Sequence, residues 1–142
     1  MGHEDRGHYA AKHQGVDVDQ NVAQALQKYQ ENGILTCASA HRVARDLGID
    51  PSGIGVQADL QELRIAQCQM GLFGHPKGKK LDPEIQVDEK LWNTLEAAAD
   101  DGRISCAQCW AIAKEFKCAK LHVGSACEKL GLRIKPCQLG AF

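Results

Sequence analysis

No stretch of this 142-residue chain approaches the roughly 20 consecutive apolar residues that a membrane span requires. The start is equally unlike an export signal: Met1 to Val16 is polar, carries His3, His8 and His13, and has no basic segment followed by an apolar one. These two absences set the expectation of a soluble, cytoplasmic protein with a flexible N-terminal tail over 1–16. Net charge is almost missing too, at -1, which gives no global attraction to nucleic acid or anionic lipid. No nucleophile–base pair, no catalytic pair of carboxylates and no phosphate loop emerges from the spacing, so an enzyme is not expected. Gly74-His75-Pro76-Lys77-Gly78-Lys79-Lys80 has a superficial likeness to a phosphate loop, but it lacks the required glycine spacing and the Ser/Thr after Lys. Its Gly/Pro/Lys composition suits a solvated linker over 74–84.

What is there is an ordinary globular composition, 44% hydrophobic and 25% charged, organised as a repeat. Sliding the chain by 69 positions aligns Val18–Phe73 with Val87–Phe142 without a gap, and fifteen of the fifty-six pairs are identical. The closing segments agree best. Cys68-Gln69-Met70-Gly71-Leu72-Phe73 returns as Cys137-Gln138-Leu139-Gly140-Ala141-Phe142. A period this long suggests two copies of a small domain, since solenoid repeats are usually shorter. The boundaries read as 17–73 and 85–142. Charge is shared unevenly: Met1 to His75 has six Lys/Arg against nine Asp/Glu, and Pro76 to Phe142 has eleven against nine. A footprint for a polyanion would lie mainly in the second half.

Within each copy the apolar pattern predicts three helices and a short extended tail, a mainly α fold. The first helix follows Asp19 or Asp88 as cap, buries Val22, Leu26 and Tyr29 or Leu91, Leu95 and Ala98, and ends at Gly33 or Gly102. The second follows Thr36 or Ser105 and buries Ala40, Val43, Ala44 and Leu47, or Cys109, Ile112, Ala113 and Phe116. Gly48 stops it in one copy, where Lys117 stands in the other. The third runs from Pro51 to about Leu63, and from about Lys120 to Leu130, with Ile65 and Ile134 opening the tails.

The segment Val43 to Ile54 has the order a helix-turn-helix needs. Ala44 permits close approach of two helices, Gly48 relieves the turn, and Ile54 anchors the second helix. Ala113, Lys117 and Val123 are the counterparts. With the repeated Cys-Gln-Leu/Met-Gly-x-Phe endings, the chain after its N-terminal tail resembles a bacterial tandem helix-turn-helix family related to the DNA-binding part of molybdate-responsive (ModE-type) repressors. The resemblance implies a winged-helix-like unit in each copy and double-stranded DNA as partner. Those repressors hold molybdate in a separate region for which the two repeats leave no room, so molybdate sensing does not carry over. On this reading the second copy would offer Lys120, His122, Ser125 and Lys129 of its third helix, with Lys114, Lys117 and Arg133 for phosphates. Asp50 and Asp59 would repel phosphate in the first copy.

The seven cysteines are the other signal. Without an export signal they point to a reducing compartment and to packing, metal or redox roles in preference to permanent disulfides. Cys106 and Cys109 sit one turn apart at a helix N-terminus, where unpaired amides favour thiolate. Cys37, Cys68 and Cys137 complete the redox or metal candidates. Cys118 and Cys127 are further thiols, but the spacing matches no standard zinc pattern. As unpaired cysteines are among the most buried residues, plain packing is the reading to beat. Two functions follow. The first is a cytoplasmic DNA-binding transcription regulator with two helix-turn-helix modules and a cysteine-dependent response, needing no cofactor. The alternative is a non-DNA-binding accessory protein that docks to a redox enzyme complex through its repeats or binds metal through its thiolates. A homodimer is compatible with either.

Overall fold

A computed structural model describes residues 8–141. His3 of the expected tail lies outside them. The described residues are mainly helical, with six α-helices and four very short strands. They form two compact units, Met1–Cys68 with Gln138–Phe142, and Gln69–Cys137.

The first unit contains α1 (Gln20–Tyr29), β1 (Ile34–Thr36), α2 (Cys37–Leu47), α3 (Pro51–Leu60) and β2 (Arg64–Ala66). The second has α4 (Glu89–Ala98), β3 (Arg103–Ile104), α5 (Cys106–Glu115), α6 (Lys120–Leu130) and β4 (Arg133–Ile134), the same order 69 residues on. Caps explain the starts. Asp19 accepts the amides of Asn21 and Val22, Thr36 that of Ser39, and Asp50 that of Ser52 ahead of Pro51. Ser105 and Gln108 close a reciprocal capping box on α5. Asp88 stands before α4 but makes no capping bond.

Gly33 and Gly102 do not end the first helices, which stop at Tyr29 and Ala98. Asn32-Gly33 and Asp101-Gly102 each take two successive positive φ values, the centre of a type I′ turn, and Glu31 with Ile34 and Asp100 with Arg103 exchange the backbone bonds across it. That turn launches β1 and β3, which the apolar pattern missed because two or three residues carry no readable period. The segments after α3 and α6 are therefore paired. β2 lies parallel to β1 with Leu35 opposite Ile65, and β4 lies parallel to β3 with Ile104 opposite Ile134. These are parallel pairs closed across a two-helix connection, a different device from the antiparallel hairpin of a winged helix.

The cores contain the expected Val22, Leu26, Val43 and Ile54 in one unit and Leu91, Leu95, Ile112 and Val123 in the other, and the strands add Leu35 and Ile104. Tyr29, Ala98 and Phe116, expected in the core, are only half-buried, and Leu47 is 41% exposed because it is the last residue of α2 before the chain turns at left-handed Gly48. Lys117 holds the same left-handed conformation at φ 54, so the second copy keeps the turn without the glycine.

Two expected boundaries fail. The segment read as tail contains a 3-10 turn, Tyr9–His13, with Tyr9 buried and the turn packed on α3. Glu62 accepts the amides of Tyr9 and Ala10, and Asp59 pairs with Lys12 at 3.1 Å and His13 at 2.7 Å. The segment read as solvated linker buries Ile85, bonds the Asp82 amide to Ser125 Oγ, and pairs Lys79 with Glu128. Nor do the repeat ends stay with their own copies. Gly55 in α3 faces the carbonyl of Leu139, and Gly124 in α6 faces that of Met70, each so closely that a Cβ has no room. The Cys-Gln-Leu/Met-Gly-x-Phe segments thus close whichever unit does not contain the strand before them, which accounts for the division at Cys68 and Cys137.

Candidate nucleic-acid interface and buried thiols

Lys114 near the end of α5, left-handed Lys117 in the turn, and Lys120 at the start of α6 flank one helix-turn-helix junction of the second unit. Lys114 and Lys117 are exposed, and Lys120 lies over the Trp110 ring with its ammonium 4.3 Å from the centroid. No carboxylate among the described residues forms an ion pair with any of the three. Trp110, Lys114, Cys118 and Lys120 line an open depression of about 440 Å³. The α6 start has Ala119 as its cap residue and no side-chain bond to its first amides. A helix start without a side-chain cap therefore stands beside two exposed ammoniums and a third held over an indole ring, an arrangement that attracts phosphate.

The rest of the expected interface is placed differently. Ser125 is 3% exposed and its hydroxyl accepts the Asp82 amide, so it is not presented to a ligand. Lys129 donates to the Ile85 carbonyl at 2.8 Å. His122 is half-buried beside Leu81 and Asp82. Arg133 is exposed on β4, opposite exposed Arg103 of β3, a neighbour the sequence reading left out because it missed the strand. The central cause is burial: Val123, Gly124, Ser125, Ala126 and Cys127 are consecutive and all buried. Five residues of a helix with 3.6 per turn cover its whole circumference, so the middle of α6 offers no open face to a groove. Its first turn, Lys120 to His122, is half-buried, and its exposed residues are Glu128 and Lys129 in the last turn.

The thiols are also rearranged. Cys37 and Cys106 open α2 and α5 and are buried, as are Cys68 and Cys109, while Cys118 and Cys137 are half-buried. Cys109 was expected to be activated by the helix N-terminus. Instead it faces Cys127, whose thiol it hydrogen-bonds, and that bond together with burial pushes the Cys109 thiol well above its ordinary range. Burial likewise raises Cys118. Among the described residues no group of three or more Cys, His, Asp or Glu is arranged to hold a metal ion. Cys127 was legible in one way: self-alignment sets Cys109 against Ala40 and Cys127 against Ala58, a paired change at two buried positions.

No helix among the described residues is long and apolar enough to cross a membrane. Comparison with protein families, curated proteins and solved structures finds no match to the chain.

Proposed function

We propose that the chain is a small cytoplasmic DNA-binding regulator that engages duplex DNA through the α5–α6 turn of its second unit. The observation that carries this is the trio Lys114, Lys117 and Lys120, without acidic partners, around an uncapped helix start. The first turn of α6 approaches the groove end-on, with Lys120 leading and the other two lysines on phosphates. Because the middle of α6 is buried, most of the affinity comes from phosphate neutralisation and little from base edges. The first unit has Arg45, Gly48 and Pro51 at the matching positions and contributes less.

The test is a fluorescence titration of the full chain on duplex DNA at several salt concentrations, beside the Lys114→Gln/Lys117→Gln/Lys120→Gln variant. Each phosphate neutralised adds about 0.9 to the magnitude of the salt slope, so the variant should flatten it by about 2.7. An unchanged slope, or no binding by the intact chain at low salt, defeats the proposal. The second outcome selects an accessory protein that docks another protein, a reading favoured by Trp92, 36% exposed on α4.

A further inference from the structure

Cys109 of α5 and Cys127 of α6 are both fully buried, each 0% exposed, and their thiols are in hydrogen-bond contact. Their counterparts Ala40 of α2 and Ala58 of α3 are fully buried too. Both helix pairs pack directly, so small side chains stand at equivalent places on each. Two methyl groups fill the position in one unit and two thiols in the other. Sulfurs within hydrogen-bond reach need approach by only about 1–2 Å to reach the roughly 2.05 Å of a disulfide.

We infer that Cys109 and Cys127 are a dithiol site that closes to a disulfide on meeting a hydroperoxide, cross-linking the helix pair of the second unit. The bond between them divides the roles. Cys109 keeps its proton and donates it to the Cys127 sulfur, which favours thiolate at Cys127. The Cys127 thiolate attacks one peroxide oxygen, the O–O bond breaks, and hydroxide leaves and takes up the proton that Cys127 had released. The resulting sulfenic acid is attacked by the Cys109 sulfur. An S–S bond forms as the S–O bond breaks, and the Cys109 proton leaves with the hydroxyl as water. With hydrogen peroxide, two thiols lose two hydrogens and one peroxide becomes two waters. Because both sulfurs are buried, the reaction proceeds through local opening of α6 and is slower than labelling of an exposed thiol. The inference does not rest on DNA binding.

The test treats the full native chain with hydrogen peroxide, quenches it, and alkylates it in denaturant without reductant. Five of the seven thiols should then alkylate, and the unalkylated pair should account for a mass loss of two hydrogens. Trypsin cuts after Arg103, Lys114, Lys120 and Lys129, so the bond should join the peptide 104–114 to 121–129. Fragmentation should then place it on Cys109 and not on Cys106. The Cys109→Ala/Cys127→Ala variant recreates the alanine pair of the other unit, and its remaining five thiols should all alkylate after the same treatment. A Cys106–Cys109 bond, a different pairing, or oxidation confined to Cys118 and Cys137 with the buried pair still free would overturn the inference.

Discussion

The two units share an element order and differ in how they hold the same helix. In the first, α3 is fastened by acids in it and just after it: Asp59 takes Lys12 and His13, and Glu62 takes the Tyr9 and Ala10 amides. In the second, α6 is fastened through Ser125 to the Asp82 amide, Lys129 to the Ile85 carbonyl, and Glu128 to Lys79. Residues 9–17 and 78–86 are 69 positions apart and share no residue at matching places, yet each supplies the strap for the third helix of its unit. What persists is where the backbone runs; the polar groups that secure it have been replaced. The charge left at the surface follows from that. In the first unit Lys12 is paired with Asp59 and only Arg45 stands at a position matching the second unit's lysines, whereas the second leaves Lys114, Lys117 and Lys120 without acidic partners.

The feature both units share should give the largest effect when broken. Gly55→Ala drives a methyl into the Leu139 carbonyl and Gly124→Ala drives one into that of Met70, and neither obstacle is a movable side chain. Each should cost about 3 kcal/mol of stability by overpacking. Gly53→Ala is the control: its nearest neighbour is Ile49 Cγ2 at 3.2 Å, a side chain that can shift, and removing a helical glycine gains about 0.5–1 kcal/mol. Urea denaturation of the three variants decides it. Equal stability of Gly53→Ala and Gly124→Ala would show that the segment ending in Phe73 does not hold α6.

Sequence reasoning reached the helices and missed what surrounds them, for identifiable reasons. Val22, Leu26, Val43 and Ile54 recur at helical spacing, so their helices were legible. The two- and three-residue strands are too short for a period, although Asn32-Gly33 and Asp101-Gly102 are the dipeptides that a type I′ turn requires. The straps were illegible because their hold lies in backbone amides at Tyr9, Ala10 and Asp82, which any residue type supplies. The same blindness affected the candidate interface. Lys114, Lys117 and Lys120 followed from the helix-turn-helix resemblance and their charge, but Ser125 and Lys129 were lost to a strap that composition had marked as solvated. Gly55 and Gly124 are identical between the copies, but identity does not reveal that each meets a carbonyl.

The helix caps sharpen the contrast at the next level of energy. Ala119→Ser supplies the missing cap on α6 and should raise stability by about 1 kcal/mol. If DNA phosphate occupies those same amides, the variant should bind DNA more weakly while melting higher. Tighter binding in the more stable variant would place the phosphate elsewhere. Asp19→Ala should cost about 1 kcal/mol, whereas Asp88→Ala should be nearly neutral because Asp88 makes no capping bond.

Lys117 is a smaller test of the same turn. A side chain at φ 54 is strained where Gly48 at φ 65 is not, and Lys117→Gly should release up to about 1 kcal/mol, partly offset by the freer unfolded chain. On DNA it should flatten the salt slope by about 0.9 if Lys117 contacts phosphate. A stability gain with an unchanged slope would keep the turn geometry and remove Lys117 from the interface.

The smallest expected effect is an acid dependence confined to the first unit. Asp50 accepts both the amide and the hydroxyl of Ser52, and these bonds hold its carboxyl below the ordinary carboxylate range. A carboxyl depressed in the folded state contributes stability that is complete above its unfolded value and is lost as the pH falls through the lower folded value. Asp50 is exposed at the surface, so the contribution is slight and salt weakens it. Asp50→Asn keeps a capping oxygen without the titrating charge, which isolates that contribution. Amide exchange in α3 should show the native chain better protected than Asp50→Asn near neutral pH, with the gap closing through the acid range. Ala119 gives α6 no such group, so its exchange should not respond to the substitution. A gap that stays constant to low pH would mean that the hydroxyl and amide of Ser52 recognise the oxygen of residue 50 and not its charge.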